Sequence, residues 1–162
     1  IKEKHKLNVV ITGAYEAEEV AKEIKTADIP VILSNIRSGT RKWNDGYNKT
    51  YRLPAALYRA GVLFAFSDIV MLTPNEFKTQ AGIAVAHGLP RVEALKALSL
   101  NPAKILNLPE YGSIAKGKNA NIFIANGDIF DTATAIKAIF IKGKKVTRKS
   151  YFQLEYEKAL KK

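Results

Sequence analysis

Asp68 is the side chain best placed for chemistry. It follows Gly61-Val62-Leu63-Phe64-Ala65-Phe66-Ser67, which reads as a helix stop, a fully apolar strand and then a carboxylate at the strand's exit. A run of Val, Leu, Phe, Ala and Phe has no polar face, so it suits a strand covered on both sides. In sheets and barrels of parallel strands, ligands and reacting groups gather at the carboxyl ends of the strands. A catalytic carboxylate would stand there, although the commoner role of an aspartate at a strand end is to cap a turn. The long polar stretch from Ser34 to Arg52, which carries Arg37, Trp43 and Tyr47, leaves an earlier apolar strand. It reads either as a loop over a substrate on the Asp68 side or as an insertion whose aromatics pack down. The two histidines, His5 and His87, have no partner two or four residues away, and neither is expected to bind metal.

These residues need a scaffold. Leu7 to Ile11 reads as a strand and Ala14 to Ala27 as a helix, with Ala17, Val20, Ala21 and Ile24 on one face. Ile29-Pro30-Val31-Ile32-Leu33 is a second apolar strand, so the segment is a βαβ unit with parallel strands. Pro54 to Ala60 is a short helix closed by Gly61 in a left-handed cap. Thr73-Pro74-Asn75-Glu76 reads as a capping box opening a helix to His87 and Gly88. A further helix begins near Pro90 and carries Val92, Ala94, Leu95 and Leu98, and Asn101-Pro102 caps a short one through Leu106. The last third changes period. Asn121 to Ile124 and Ala135 to Ile141 are strands, Lys142-Gly143-Lys144 is a hairpin turn, and Tyr151 to Lys162 is an amphipathic helix.

The composition of the 162 residues, 47% hydrophobic and 25% charged, is that of a globular chain. No apolar run reaches the roughly 20 residues of a membrane span, and no signal peptide opens the chain, so neither a membrane partner nor export is expected and the cytoplasm is the default compartment. The absence of cysteine excludes disulfides and thiolate metal sites. The net charge of +11 comes from lysines spread over turns and helix ends, without the interleaved aromatics of a nucleic-acid stripe, so no nucleic-acid partner is expected. The only methionine is Met71, from which the chain is expected to be a processed or truncated polypeptide. Too few strands are present to close either half, leaving edges for a companion segment or for assembly into a homo-oligomer.

The run Gly88-Leu89-Pro90-Arg91-Val92-Glu93-Ala94-Leu95-Lys96-Ala97-Leu98-Ser99-Leu100-Asn101-Pro102-Ala103-Lys104-Ile105-Leu106 resembles a sequence block of the amidohydrolase superfamily. Gly112 to Ile122 and Ala138 to Val146 resemble two further blocks, and the upstream pattern is similar to imidazolonepropionase-like members. The resemblance implies the C-terminal part of a (β/α)8 (TIM-like) metal-dependent hydrolase barrel, over about residues 1–110, covering strands six to eight and the helices after them. Residues 111–150 would be returning strands of a small composite β-sandwich, and 151–162 a tail helix.

The resemblance also implies metal-assisted hydrolysis of a C–N bond in a small-molecule substrate: a cyclic amide, an amidine or a dipeptide-like compound. Asp68 would be both metal ligand and proton shuttle, with Zn2+ or another divalent ion as cofactor. Arg37, Trp43 and Tyr47 are the expected substrate-binding residues. The family's other ligands would lie in a preceding segment or companion chain, and its strand-six histidine falls near Thr12, a poor zinc ligand. The alternative expectation is a catalytically inactive remnant that serves as a scaffold or binding protein.

Overall fold

A computed structural model describes residues 7–37, 39, 42–67, 75–146 and 151–160, with backbone alone for 75, 76 and 151–155. Asp68, His5 and the Thr73-Pro74 half of the expected capping box lie outside the described residues. The chain divides into two compact units, Ile1–Ser113 and Ile114–Lys162.

In the first unit β1 (Ile11–Gly13), β2 (Val31–Leu33) and β3 (Phe64–Phe66) form a parallel sheet in the order β1-β2-β3. β2 and β3 are shorter than their apolar runs, and β1 is displaced from the expected 7–11 to Ile11–Gly13, residues 7–10 entering as irregular chain. β3 has the cover its composition demands. Phe64 and Phe66 stack edge to face at 5.9 Å on one side, Ala65 faces the other, and all three are buried.

Helices α2 (Lys49–Arg59), α3 (Asn75–Ala86), α4 (Arg91–Leu98) and α5 (Leu100–Ile105) all pack against β3. On α4 the buried residues are Ala94 and Ala97, whereas Val92 and Leu95 face out. The buried face of α4 is therefore its small-residue face. Small side chains let α4 approach β3, and the larger ones are turned to the surface.

Two more expectations are corrected. α1 spans Ala21–Thr26 and not 14–27. Residues 15–20 are successive turns, with the Ala17 and Glu19 N–H groups donating to carbonyls three residues back. Tyr15, Glu16 and Glu19 there reach Asp45, Lys42 and Lys49 respectively. Such tertiary contacts override a weak helical preference. α2 begins at Lys49, so Pro54 lies inside the helix instead of opening it. The proline ring is fully buried and gives no N–H to the carbonyl of Thr50 four residues earlier.

The end of α2 follows from one glycine. Gly61 N–H donates to Tyr58 O at 2.9 Å and Val62 N–H to Leu57 O at 3.0 Å, the paired bonds of a Schellman cap, with Gly61 at φ +72°. Gly112 is constrained more tightly. Its φ is +84°, and a Cβ there would lie 2.7 Å from the Ser99 carbonyl oxygen and 2.8 Å from Leu100 Cα. This glycine lets the chain pass against the α4–α5 junction.

In the second unit β4 (Ile122–Ala125), β5 (Ile136–Ile141) and β6 (Lys144–Val146) form an antiparallel sheet in that order, with a register shift at Ile124/Ala125. Lys142 and Gly143 take φ of +50° and +75°, the two positive values of a type I′ hairpin. Phe123 and Ile124, adjacent in β4 and so on opposite faces, are both about half exposed, as is Ile141. α6 (Tyr151–Leu160) leaves Tyr156 and Leu160 exposed.

The Gly61→Val variant should lose about 1–2 kcal/mol, the cost of a left-handed side-chain residue, read as a lower urea midpoint at unchanged slope. Gly112→Ala should lose more than Gly61→Ala, because backbone atoms block its Cβ. Equal losses would mean that positive φ alone sets both costs.

Candidate functional site

Because β1, β2 and β3 are parallel, their carboxyl ends emerge together. β1 leads into Ala14-Tyr15, β2 into Ser34-Asn35-Ile36-Arg37, and β3 into Ser67. The ladder continues past the strands: Ser34 N–H donates to Gly13 O at 3.4 Å, and Ser67 N–H donates to Leu33 O at 2.8 Å. Ser67, the residue before Asp68, is thus fixed beside the start of the polar loop.

A buried glutamine ties these two exits together. Gln80 on α3 has 0% exposure. Its Oε1 accepts the Ile36 N–H at 3.1 Å, and its Nε2 donates to Ser67 O at a long 3.5 Å. A second buried amide closes the outer side of β3. Alternate β3 residues face β2, since Leu63 O accepts from Val31 and the Ser67 N–H donates to Leu33, so the Phe64 carbonyl turns away from the described sheet. Asn101 Nδ2 donates to it at 2.9 Å. Asn101 therefore satisfies a strand edge, and α5 has no side-chain cap at its start.

The polar loop is pinned to the β1 exit. Tyr15 Oη donates to Asp45 Oδ2 at 2.7 Å, and Lys49 Nζ reaches Asp45 Oδ1 at 3.0 Å and Glu19 Oε1 at 3.1 Å. The Lys49 ammonium also lies 5.4 Å from the centre of the Tyr15 ring, and Lys42 pairs with Glu16. The hydrogen bond from Tyr15, then that from Lys49, holds the Asp45 carboxyl below its ordinary value. Hydrogen bonds from Lys49 to Asp45 and Glu19 raise the ammonium above its own.

Of the expected substrate-binding residues, Arg37 lies at the β2 exit, its N–H donating to Asn35 Oδ1 at 2.8 Å. Trp43 is 97% and Tyr47 78% exposed, so both project from the loop and neither packs down. Thr12 lies in β1 and is exposed. His87 packs on Tyr51, with ring centres 5.2 Å apart. Among the described residues, no three His, Cys, Asp or Glu side chains are placed to hold a metal ion together. No described helix is long and apolar enough to cross a membrane.

Sequence reasoning passed over Gln80 and the Tyr15–Asp45–Lys49 cluster, and it takes Asn101 for a helix cap where the side chain serves a strand carbonyl. For Gln80 a signal existed: it shares a helical stripe with the buried Ala81 and Ala84.

Replacing Gln80 with Leu strands the buried Ile36 N–H, so a loss of about 1–3 kcal/mol is expected, with faster amide exchange at Ile36. The Asp45 contribution has a definite sign. A depressed carboxylate stabilises above its ordinary value of 3.8 and loses that contribution as pH falls through its folded value. The raised Lys49 contributes fully below its ordinary value of 10.5 and loses its share only above that. Asp45→Asn should therefore be less stable than the wild type at pH 7, with the gap closing in urea melts as the pH falls below the ordinary carboxylate value of 3.8 and on through the lowered folded one.

Residues 5–146 match the profile of the Amidohydrolase family. A 72-residue stretch, 44% of this chain, is 35% identical to adenine deaminase of Desulfitobacterium hafniense (strain Y51) and covers 12% of that protein. The crystal structure of an amidohydrolase from Thermotoga maritima MSB8 superposes with a TM-score of 0.79 at 32% identity, over 91% of this chain and 39% of that one. A prolidase complexed with N-methylphosphonate-L-proline gives 0.66 at 19% identity over 87% of this chain and 40% of its own, a likeness of fold. The sequence thus spans about two-fifths of the length of these solved structures and an eighth of that deaminase. With the profile matched over most of its length, the chain belongs to the amidohydrolase family.

Proposed function

We propose that these 162 residues are the C-terminal portion of an amidohydrolase-family enzyme that hydrolyses a C–N bond in a cyclic amide, amidine or dipeptide-like substrate. The observation that carries this reading is the shared exit edge: three parallel strands deliver the loop bearing Arg37, Trp43 and Tyr47 and the residue before Asp68 to one end of a sheet. That is where chemistry gathers in parallel α/β folds. On this reading residues 1–110 are the last part of a (β/α)8 barrel, residues 111–150 strands of a composite β-sandwich, and 151–162 a tail helix. Protein outside this sequence, in the same or a companion chain, would pair the β1 edge and cover the apolar side chains that β4 and β5 leave exposed on both faces.

Asp68 would take a proton from the attacking water as the C–O bond forms, and then return it to the leaving nitrogen as the C–N bond breaks. Arg37, Trp43 and Tyr47 would contact the substrate from the loop. The described residues do not by themselves make a metal site. The Zn2+ or other divalent ion expected for the family would take Asp68 as one ligand and its others from beyond this sequence. A second reading, an inactive member serving as a scaffold, is favoured by Thr12, which lies in β1 where the family resemblance puts a histidine.

Asp68→Asn in the full-length protein should lower turnover of a C–N substrate panel by about 10²-fold or more while leaving the melting temperature unchanged. Unchanged turnover would refute the role of Asp68. A wild-type protein that is folded, metal-free after incubation with Zn2+ and inactive on the panel would favour the scaffold reading.

A further inference from the structure

Asn126-Gly127 is the only Asn-Gly pair in the chain, and Asp45-Gly46 is the only Asp-Gly pair. A side-chain carbonyl followed by glycine is open to attack by the next backbone nitrogen, because glycine has no Cβ to keep the two apart. The two pairs stand in opposite surroundings. The Asp45 carboxyl is held by Tyr15 and Lys49, which keep it ionised, and an ionised carboxylate is a poor electrophile. Asn126 and Gly127 are both exposed, in the connection between β4 and β5.

Asn126 is docked on Ala135 across that connection. Its N–H donates to Ala135 O at 3.2 Å, and the Ala135 N–H donates to its Oδ1 at 2.8 Å. A donor fixed on the amide oxygen draws electrons from Cγ and stabilises the negative charge that an attack would place on that oxygen. Among the described residues nothing engages Asn126 Nδ2 or the Gly127 N–H, so the leaving group and the nucleophile are both open to solvent. Two other asparagines accept a backbone N–H at Oδ1 in the same way, Asn35 from Arg37 at 2.8 Å and Asn121 from Lys142 at 2.9 Å. Each precedes an isoleucine, whose branched Cβ shields the attacking nitrogen. The Ile36 N–H is also bound already, to Gln80. Of these three, Asn126 alone combines a polarised amide with a free and unshielded nitrogen.

We propose that Asn126 is a site of spontaneous deamidation in the folded protein. The Gly127 nitrogen gives its proton to hydroxide and bonds to Asn126 Cγ. The Cγ–Nδ2 bond breaks as Nδ2 takes a proton from water, and ammonia leaves behind a cyclic succinimide. Water then opens the ring at either carbonyl. Cleavage from Cγ yields aspartate, and cleavage from the backbone carbonyl yields isoaspartate, in which the main chain runs through Cγ. Nothing is oxidised or reduced. Both products place a new negative charge at residue 126, and isoaspartate lengthens the main chain where it pairs with Ala135. The site is independent of the chemistry assigned to Asp68.

The test is peptide mapping by mass spectrometry of the full-length protein, kept folded in mildly alkaline buffer, with isoaspartate identified by enzymatic methylation. Aspartate and isoaspartate should accumulate at residue 126 about tenfold or more faster than at Asn35 or Asn121, while Asp45 stays unchanged. The rate at Asn126 should rise with pH, as more of the attacking nitrogen is deprotonated. Gly127→Ala should slow the reaction by about tenfold or more, since its Cβ shields the nitrogen. An Asn126 that stays intact in the folded protein and reacts only once urea unfolds it would overturn the proposal. Equal rates at Asn126 and Asn35, or an unchanged rate in Gly127→Ala, would overturn it as well.

Discussion

Parallel pairing is the constraint from which the rest follows. When β1, β2 and β3 run the same way, each connection must return across the sheet, and all three exits fall at one end. That forces the Tyr15 turn, the loop from Ser34 and the Ser67 exit into one neighbourhood, whatever their separation in sequence. Three-residue strands cannot hold such an edge alone. The ladder bonds beyond them, from Ser34 to Gly13 and from Ser67 to Leu33, and the Gln80 amide between the two exits extend the order into the loops.

The edge is held by two kinds of force. Beneath it, Val31, Leu33, Phe64 and Phe66 are buried, which supplies non-directional stabilisation. At the rim, directional bonds set position. Gln80 and Asn101 act from inside, where an unmade bond is costly, and the Tyr15–Asp45–Lys49–Glu19 cluster acts nearer solvent. Exposed ion pairs are individually weak. This cluster gains from being shared: one lysine serves two carboxylates and an aromatic face, and one of those carboxylates takes a tyrosine hydroxyl as well. Trp43 and Tyr47 lie within the pinned segment, so the loop can present aromatics to solvent while its base stays fixed.

Much of this was legible in the sequence. The alternation of apolar runs with an amphipathic stripe announced the βαβ unit, and Gly61 before a fully apolar run announced the helix stop and the doubly covered strand. The change of period after residue 120 announced the antiparallel sheet and its Lys142-Gly143 turn. What failed did so for identifiable reasons. Pro54 suggests a helix start because proline favours a first turn, yet the helix tolerates it inside by burying the ring. The segment 15–20 looked helical because local propensity carries no information about Asp45 and Lys49, some 30 residues away. Asn101 looked like a cap because asparagine so often is one, whereas its partner is a strand carbonyl 37 residues earlier.

The account depends most on Asp68 standing at the edge where the three strands emerge. The most direct measurement is a zinc-edge anomalous diffraction map of the full-length protein crystallised with Zn2+. It should place an ion about 2.0–2.2 Å from the Asp68 carboxylate, on the side of the sheet where Ser34 and Ser67 leave the strands. An Asp68 carboxylate packed beneath the strands, or turned toward their amino ends, would contradict the account.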